Sequence, residues 1–448
     1  MSRESDYPEK IIIRLKTYVN SLRIKLVSRF LKDPLLKGIL ILGSGTAISQ
    51  ILGIIFVPVI TRIYSPAIYG TGAIFTSLLQ ILLVVATMRY ETSILIAESD
   101  DDAEYLLILS LLILSILTII LFVILVLWGN YLARIFQFEF LAPNYWLLSV
   151  GLLGGSLYLT LKSWALRPKE YVLITQTGII QSITGSVSKI ILGILSFGSF
   201  GLIIGDIIGR TMGFGSLGKK ILPKIWHTIH DLDVHKLRSL AYKYWKFPIF
   251  SLPASLINGI ALQVPTLFLA FMFNYQIVGL YALSYSISSL PISFISTSID
   301  QAFTAESSDL FRQKSNEILT LYIDTTKKLF MFSAPLVFIG AIISPVLFPI
   351  IFGRAWKDAG LFVFPLSIFL IAQFVVSSTD RLDFYGFNHW ELVWNICRTL
   401  LVLGGFCVAY LLKLSPVITI LIFSSIMTVM YVICYILNIK AIKLCLKI

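Results

Sequence analysis

Charge is what this chain has least of. Asp, Glu, Lys and Arg make up 13% of its 448 residues, about half the share of an ordinary soluble domain. That shortage excludes a water-soluble globular protein. With 57% hydrophobic residues gathered into apolar runs of about twenty, it points to an all-α polytopic membrane protein. Cysteine is sparse as well. Cys397, Cys407, Cys434 and Cys445 lie in or beside apolar spans without a CxxC or metal-type spacing, and are read as buried free thiols with no redox role. The four histidines, His227, His230, His235 and His389, fall in polar connections with no matching Cys or Glu set for zinc. No P-loop, GxSxG or paired His–Glu motif occurs, and the longest external loop, near 129–143, is too short for a catalytic domain. Residues 1–40 lack the compact apolar core and small-residue cleavage site of a secretory signal.

The net charge of +12 does not indicate nucleic acid, because the basic residues cluster at span ends rather than along an aromatic-studded polar face. Twelve spans are expected: 38–61, 71–88, 105–128, 144–166, 171–197, 200–218, 247–273, 277–303, 327–352, 359–379, 392–412 and 416–438. They divide the chain into a cytoplasmic basic amphipathic segment (1–37), a six-helix half (38–218), a basic cytoplasmic linker (219–246), a second six-helix half (247–438) and a cytoplasmic tail (439–448). Within the first segment, Ile12, Leu15, Val19, Leu22 and Leu26 share one helical face over 9–32, as in an interfacial helix on an anionic leaflet. Of 36 Lys and Arg, only Arg62, Arg134, Arg354, Lys357 and Lys413 fall in loops on one side, and four, Arg89, Lys189, Arg210 and Arg398, count as intramembrane, with Lys162, Lys327 and Lys328 at span ends counted with the cytoplasmic segments. The remainder places both termini in the cytoplasm by the positive-inside rule.

The halves read as distant parallel repeats. Val57-Pro58 matches Val264-Pro265, and aligning Gly70 with Gly279 also sets Ala73 on Ala282 and Glu91 on Asp300. Pro58, Pro253, Pro265 and Pro291 favour kinks within spans. Intramembrane charges are costly and by default mark a pathway. Arg210 lies ten residues into its span with Asp206 one turn earlier: either a self-neutralised pair, or part of a polar cavity in which the guanidinium binds an anion. Lys189 sits among Ser182, Thr184, Ser186 and Ser188, consistent with a wet face or with snorkelling. Arg398 and the Arg89–Glu91 pair lie nearer span ends, where anchoring is the alternative reading. Asp300, a lone carboxylate late in its span, is a candidate for proton uptake. Asn258, Gln263, Tyr281, Tyr285 and the serines 284, 286, 288 and 289 suit either sugar hydroxyls or helix packing.

One stretch carries a resemblance. Thr61-Arg62-Ile63-Tyr64-Ser65-Pro66 with Tyr69-Gly70, then Arg89-Tyr90-Glu91 and Asp102-Ala103, resembles the polysaccharide-biosynthesis flippases of the multidrug/oligosaccharidyl-lipid/polysaccharide exporter (MOP) superfamily. Ala67 stands where such proteins often carry an acid, and the second half matches poorly by motif. The resemblance implies a MATE-like V of two six-helix bundles around a cavity that opens to each side in turn. It implies a bacterial inner-membrane transporter, not an enzyme, for lipid-linked oligosaccharides such as O-antigen units, with the polyprenyl tail among membrane lipids. A cationic cavity of Arg210, Lys189, Arg89 and Arg398 would then receive the cargo. Glu91, Asp206 and Asp300 are the candidates for coupling to H+ or Na+, and no cofactor is expected. A drug/cation antiporter of the same superfamily is the alternative, followed by a membrane glycan polymerase, which would need a sizeable catalytic loop.

Overall fold

Peptide groups in hydrocarbon have no water to bond, so apolar runs of this length resolve into helices. The computed structural model describes residues 34–136, 138–142, 144–312, 317–382 and 385–446, with no strand among them. The interfacial helix expected over 9–32 lies outside the described residues. In the first half the helices are α1 (Pro34–Ile63), α2 (Pro66–Val85), α3 (Asp100–Phe136), α4 (Leu147–Leu166), α5 (Tyr171–Ile194) and α6 (Ser199–Thr211). Two further helices, α7 (Phe214–His230) and α8 (Val234–Lys243), lead to the second half. There follow α9 (Leu252–Met272), α10 (Tyr275–Arg312), α11 (Glu317–Phe352), α12 (Ala359–Ser377), α13 (Asn388–Leu411) and α14 (Pro416–Leu446). Ten stretches of described helix are long and apolar enough to cross a membrane. At the places of the expected fourth and eighth spans stand α4 and α10, both richer in small and hydroxyl residues.

Local chemistry explains the boundaries. Ser65 caps α2 by accepting from the Ile68 amide at 3.4 Å, and Pro66 follows at the first helical position, where its missing N–H costs nothing. The second span was expected to reach Arg89, but α2 ends at Val85, and Met88 and Arg89 take positive φ. The sixth span was expected to run unbroken to 218. Instead α6 stops at Thr211, and Gly213 at φ +96° turns the chain into α7.

Ile116, Leu127, Ile194 and Leu411 are left exposed on the helix flanks, as lipid-facing side chains are. Since lipid offers no hydrophobic drive between helices, association depends on close packing at small residues and on interhelical hydrogen bonds. The repeat-matched glycines show this. A Cβ on Gly70 would overlap the Tyr275 carbonyl oxygen, and one on Gly279 would overlap the Pro66 carbonyl oxygen. The starts of α2 and α10 therefore touch backbone to backbone, at the end that the charge bias assigns to the outside. Beside them Trp356, fully buried, donates its indole N–H to the Thr61 carbonyl at 2.8 Å and meets the Tyr69 ring edge-on at 5.3 Å. Phe140 and Tyr275 pack edge-on at 5.3 Å. Together these contacts join the two halves at that end. Trp356→Phe should lower thermal stability in detergent by about 1–3 kcal/mol, because it leaves the Thr61 carbonyl buried and unpaired. An unchanged unfolding midpoint would show that this hydrogen bond does not hold the halves.

At the opposite end the acidic run finds its partners. Lys236 pairs with Asp101 and, at 3.6 Å, with Asp102; Lys243 reaches Glu98 at 2.8 Å and Arg167 reaches Asp100 at 2.9 Å. Hydrogen bonding to the Asp101 carboxylate raises the Lys236 ammonium above its ordinary pKa, and Glu98 does the same for Lys243. Leu217, Ile221, Ile225 and Leu240 bury against Tyr90, Ile94 and Tyr105. The segment expected as a linker is thus folded onto the first half by α7 and α8.

Candidate functional site

The site begins with a crossing of two helices. A Cβ on Gly185 of α5 would lie 2.9 Å from the Cα of Gly209 on α6, and the reverse holds equally, so only glycine admits this approach. The crossing sets Lys189 against α6. Asp206 then accepts from Lys189 Nζ at 3.3 Å and from Arg210 Nε at 2.7 Å, with Thr76 Oγ1 donating at 3.3 Å. The Arg210–Asp206 pairing is the one that i,i+4 spacing foreshadows. One carboxylate is shared by two cations, so the group retains a net positive charge between apolar helices. Gln80, with its carbonyl turned to the guanidinium, accepts from Arg210 Nη1 and Nη2 at 3.1 and 3.2 Å. The amide of Gln181 donates to the Arg210 carbonyl at 2.8 Å.

Arg210 and Lys189 were expected to face one chamber. They face two, with Asp206 as the bridge. A cavity of about 410 Å³ lies between the halves, lined by Gln80, Lys189 and Asp206 on one side and Gln263, Tyr281 and Tyr285 on the other. The two tyrosine rings stack at 6.0 Å with 14° between their planes. Tyr285 also stacks on Phe369 at 6.3 Å and Tyr281 is buried, so the wall offers hydroxyl and amide groups rather than open aromatic faces. Arg210 instead lines a cavity of about 300 Å³ inside the first half. Because α6 ends at Thr211, Arg210 occupies its last helical turn, within the apolar stretch Ser199–Pro223.

The other expected residues lie apart. Arg398, 4% exposed, donates to Asn258 Oδ1 at 2.6 Å and Asn395 Oδ1 at 3.0 Å and stacks 4.6 Å over Trp394. It lines a third cavity, of about 740 Å³, in the second half. Among the described residues none of its partners is a carboxylate. Arg89 follows the end of α2 and pairs with Glu91 at 3.4 Å, and Thr87 donates to the same carboxylate. Asp300 is not a lone carboxylate: Arg381 reaches its Oδ1 at 2.7 Å. Arg381 went unnoticed in the sequence because it stands in the connection after α12. The fold carries it inward, its amide held by Asn438 Oδ1 at 3.0 Å and its side chain 11% exposed. The available signal was Asn438, an amide late in an apolar span. Lys162 was missed for a similar reason. It sits one turn from the end of α4 and lines the cavity of Arg210.

Known proteins are similar to this arrangement in two ways. A family described as polysaccharide biosynthesis protein matches residues 59–361. Among solved structures, an inward-facing multidrug resistance MATE family transporter of the MOP superfamily superposes with a TM-score of 0.60 at 15% identity, over 90% of this chain and 95% of that one. A MOP superfamily transporter from Pyrococcus furiosus, with a binding pocket described as of reverse polarity, gives 0.56 at 16% identity over 93% and 98%. A Vibrio cholerae MATE transporter gives 0.55 at 13% identity over 92% and 97%. These superpositions show a shared fold. No curated protein sequence matches the chain.

Proposed function

The chain belongs to the polysaccharide biosynthesis protein family, and on that premise we propose that it is a flippase. It carries an oligosaccharide repeat unit linked to undecaprenyl diphosphate across a bacterial inner membrane, for surface polysaccharide assembly. Twelve crossings in two six-helix bundles, with both termini cytoplasmic, alternate between inward and outward openings. The observation that carries this reading is the Lys189–Asp206–Arg210 group, net positive and set beside a cavity of tyrosines and amides between the halves. A diphosphate and several sugars cannot cross hydrocarbon unaided, because each desolvated charge or hydroxyl needs a partner.

The steps follow from the geometry. With the outer end closed at Gly70, Gly279 and Trp356, cargo enters from the cytoplasmic side. Phosphate oxygens take up the free N–H groups of Arg210, and the sugars lie in the central cavity beside Lys189, Tyr281 and Tyr285. The halves then rock until the glycine contact parts and the outer side opens. Asp206 is the carboxylate best placed to couple a proton or sodium ion, since neutralising it frees both cations for the cargo. Transport by purified protein in vesicles lacking any ion gradient would remove that coupling.

Cells lacking the protein should lose surface polysaccharide and accumulate its lipid-linked repeat unit in the cytoplasmic leaflet. Accumulation of the unit on the outer face would instead indicate a polymerase. Drug hypersensitivity without accumulation would indicate an antiporter.

A further inference from the structure

Each half contains a polar cavity of its own, and the two are built alike. The first is lined from α1, α2, α4, α5 and α6, and the second from α9, α10, α12, α13 and α14, which are the corresponding helices of the two repeats. Their charges differ. The second mixes Arg381 and Arg398 with Asp300, Asp380 and Glu391. The first contains Lys162 and Arg210 and, among the described residues, no carboxylate.

We propose that the first cavity is a binding site for a diphosphate group. Among the described residues no carboxylate pairs with Lys162, so its ammonium stands in the cavity wall with its charge uncompensated. Arg210 uses Nε on Asp206 and one N–H from each Nη on Gln80. Two of the five N–H groups of a guanidinium therefore remain for a ligand. Thr46, Ser49, Gln50 and Tyr158 make the rest of the wall polar and neutral, the Thr46 and Ser49 hydroxyls donating to the Leu42 and Gly45 carbonyls and Tyr158 bonded to Thr177. Two cations in an otherwise neutral polar wall match the two phosphoryl groups of a diphosphate, and charge-assisted bonds of this type are the strong ones. An anion would avoid the equivalent cavity of the second half, where three carboxylates face two arginines.

Position supports the same ligand. Lys162 lies one turn from the end of α4 at Leu166, and Ile174 and Leu42 line the cavity near the ends of α5 and α1. That is headgroup depth on the side where the charge bias puts the cytoplasm. Outside the cavity, α1 presents Ile48, Ile51 and Ile55 to lipid, where a polyprenyl chain can run. The assignment of a lipid diphosphate rests on the flippase reading. It divides the cargo, placing the diphosphate beside Lys162 and Arg210 and the sugars in the central cavity, whose wall includes Asp206, the partner of Arg210.

The test uses the full chain in neutral phosphatidylcholine nanodiscs and measures binding of farnesyl diphosphate, inorganic pyrophosphate and farnesol. Farnesyl diphosphate should bind, farnesol should not compete, Lys162→Gln should weaken binding at least tenfold and Lys162→Arg should restore it. Pyrophosphate binding as tightly as farnesyl diphosphate would support the same site with a soluble diphosphate as ligand. Unaltered farnesyl diphosphate affinity in a Lys162→Gln protein that elutes as wild type, or equal competition by farnesol, would overturn the proposal. The two readings fail separately. If polysaccharide export needs the protein but Lys162→Gln binds normally, the cavity assignment falls alone. If Lys162-dependent binding is found but export does not need the protein, the flippase reading falls alone.

Discussion

Replacing Arg210 and Lys189 together by glutamine should abolish polysaccharide export. Losing both cations turns a group of net charge +1 into an uncompensated carboxylate, Asp206, held between α5 and α6. Removing one partner of a buried, hydrogen-bonded charge pair costs about 2–5 kcal/mol, or roughly thirtyfold to several thousandfold at 1.4 kcal/mol per tenfold. A structural and a functional role both predict loss in this double variant, so the triple variant decides between them. Adding Asp206→Asn removes the stranded charge, and a neutral, hydrogen-bonded group in that place should restore folding and membrane yield. Export should stay absent, because Lys162 alone is left to meet the two phosphoryl groups of the proposed cargo. Normal export by the triple variant would mean that the group serves only to join helices.

The outer closure gives the second large effect. Gly70 and Gly279 meet through backbone atoms, so a side chain at either cannot be accommodated by a rotamer change in its neighbour. Overpacking typically costs about 1–3 kcal/mol, and here the closed state bears it while a state with the outer ends apart does not. Gly70→Leu should therefore shift the population toward the outward-open state by about tenfold or more. The reporter is Ala282→Cys, a wall residue of the central cavity, in a background with Cys397, Cys407, Cys434 and Cys445 replaced. Its labelling by an impermeant maleimide from outside should accelerate at least tenfold with Gly70→Leu, and transport should fall in parallel. Unchanged labelling with normal transport would show that the glycine contact is not the seal.

Most of the secondary structure was readable because a bilayer admits few solutions. Apolar length implies helices, and Ser65-Pro66 at the start of α2 is a cap with its mechanism visible in the residues. The repeat alignment of Gly70 with Gly279 was also readable, although alignment alone gives no reason for the pair to touch. Contacts between distant segments were less readable. Asp300 looked alone because Arg381 is 81 positions away, and the basic 219–246 segment looked like a linker because its acidic partners, Glu98 to Glu104, lie in the first half. Lys162 and Arg381 were missed because a cation near a span end is ordinarily a snorkelling anchor, and only packing shows whether its head turns to water or to a cavity.

By itself the sequence determined a polytopic helical protein, its span order and the few ionisable groups placed in hydrocarbon, because hydropathy and helical period act over neighbouring residues. Tertiary structure alone decided that Asp206 joins Arg210 to Lys189, that these cations face separate cavities, and that two glycines close one end. Those are distances between helices, set by which small residues let backbones approach, and no local pattern encodes them.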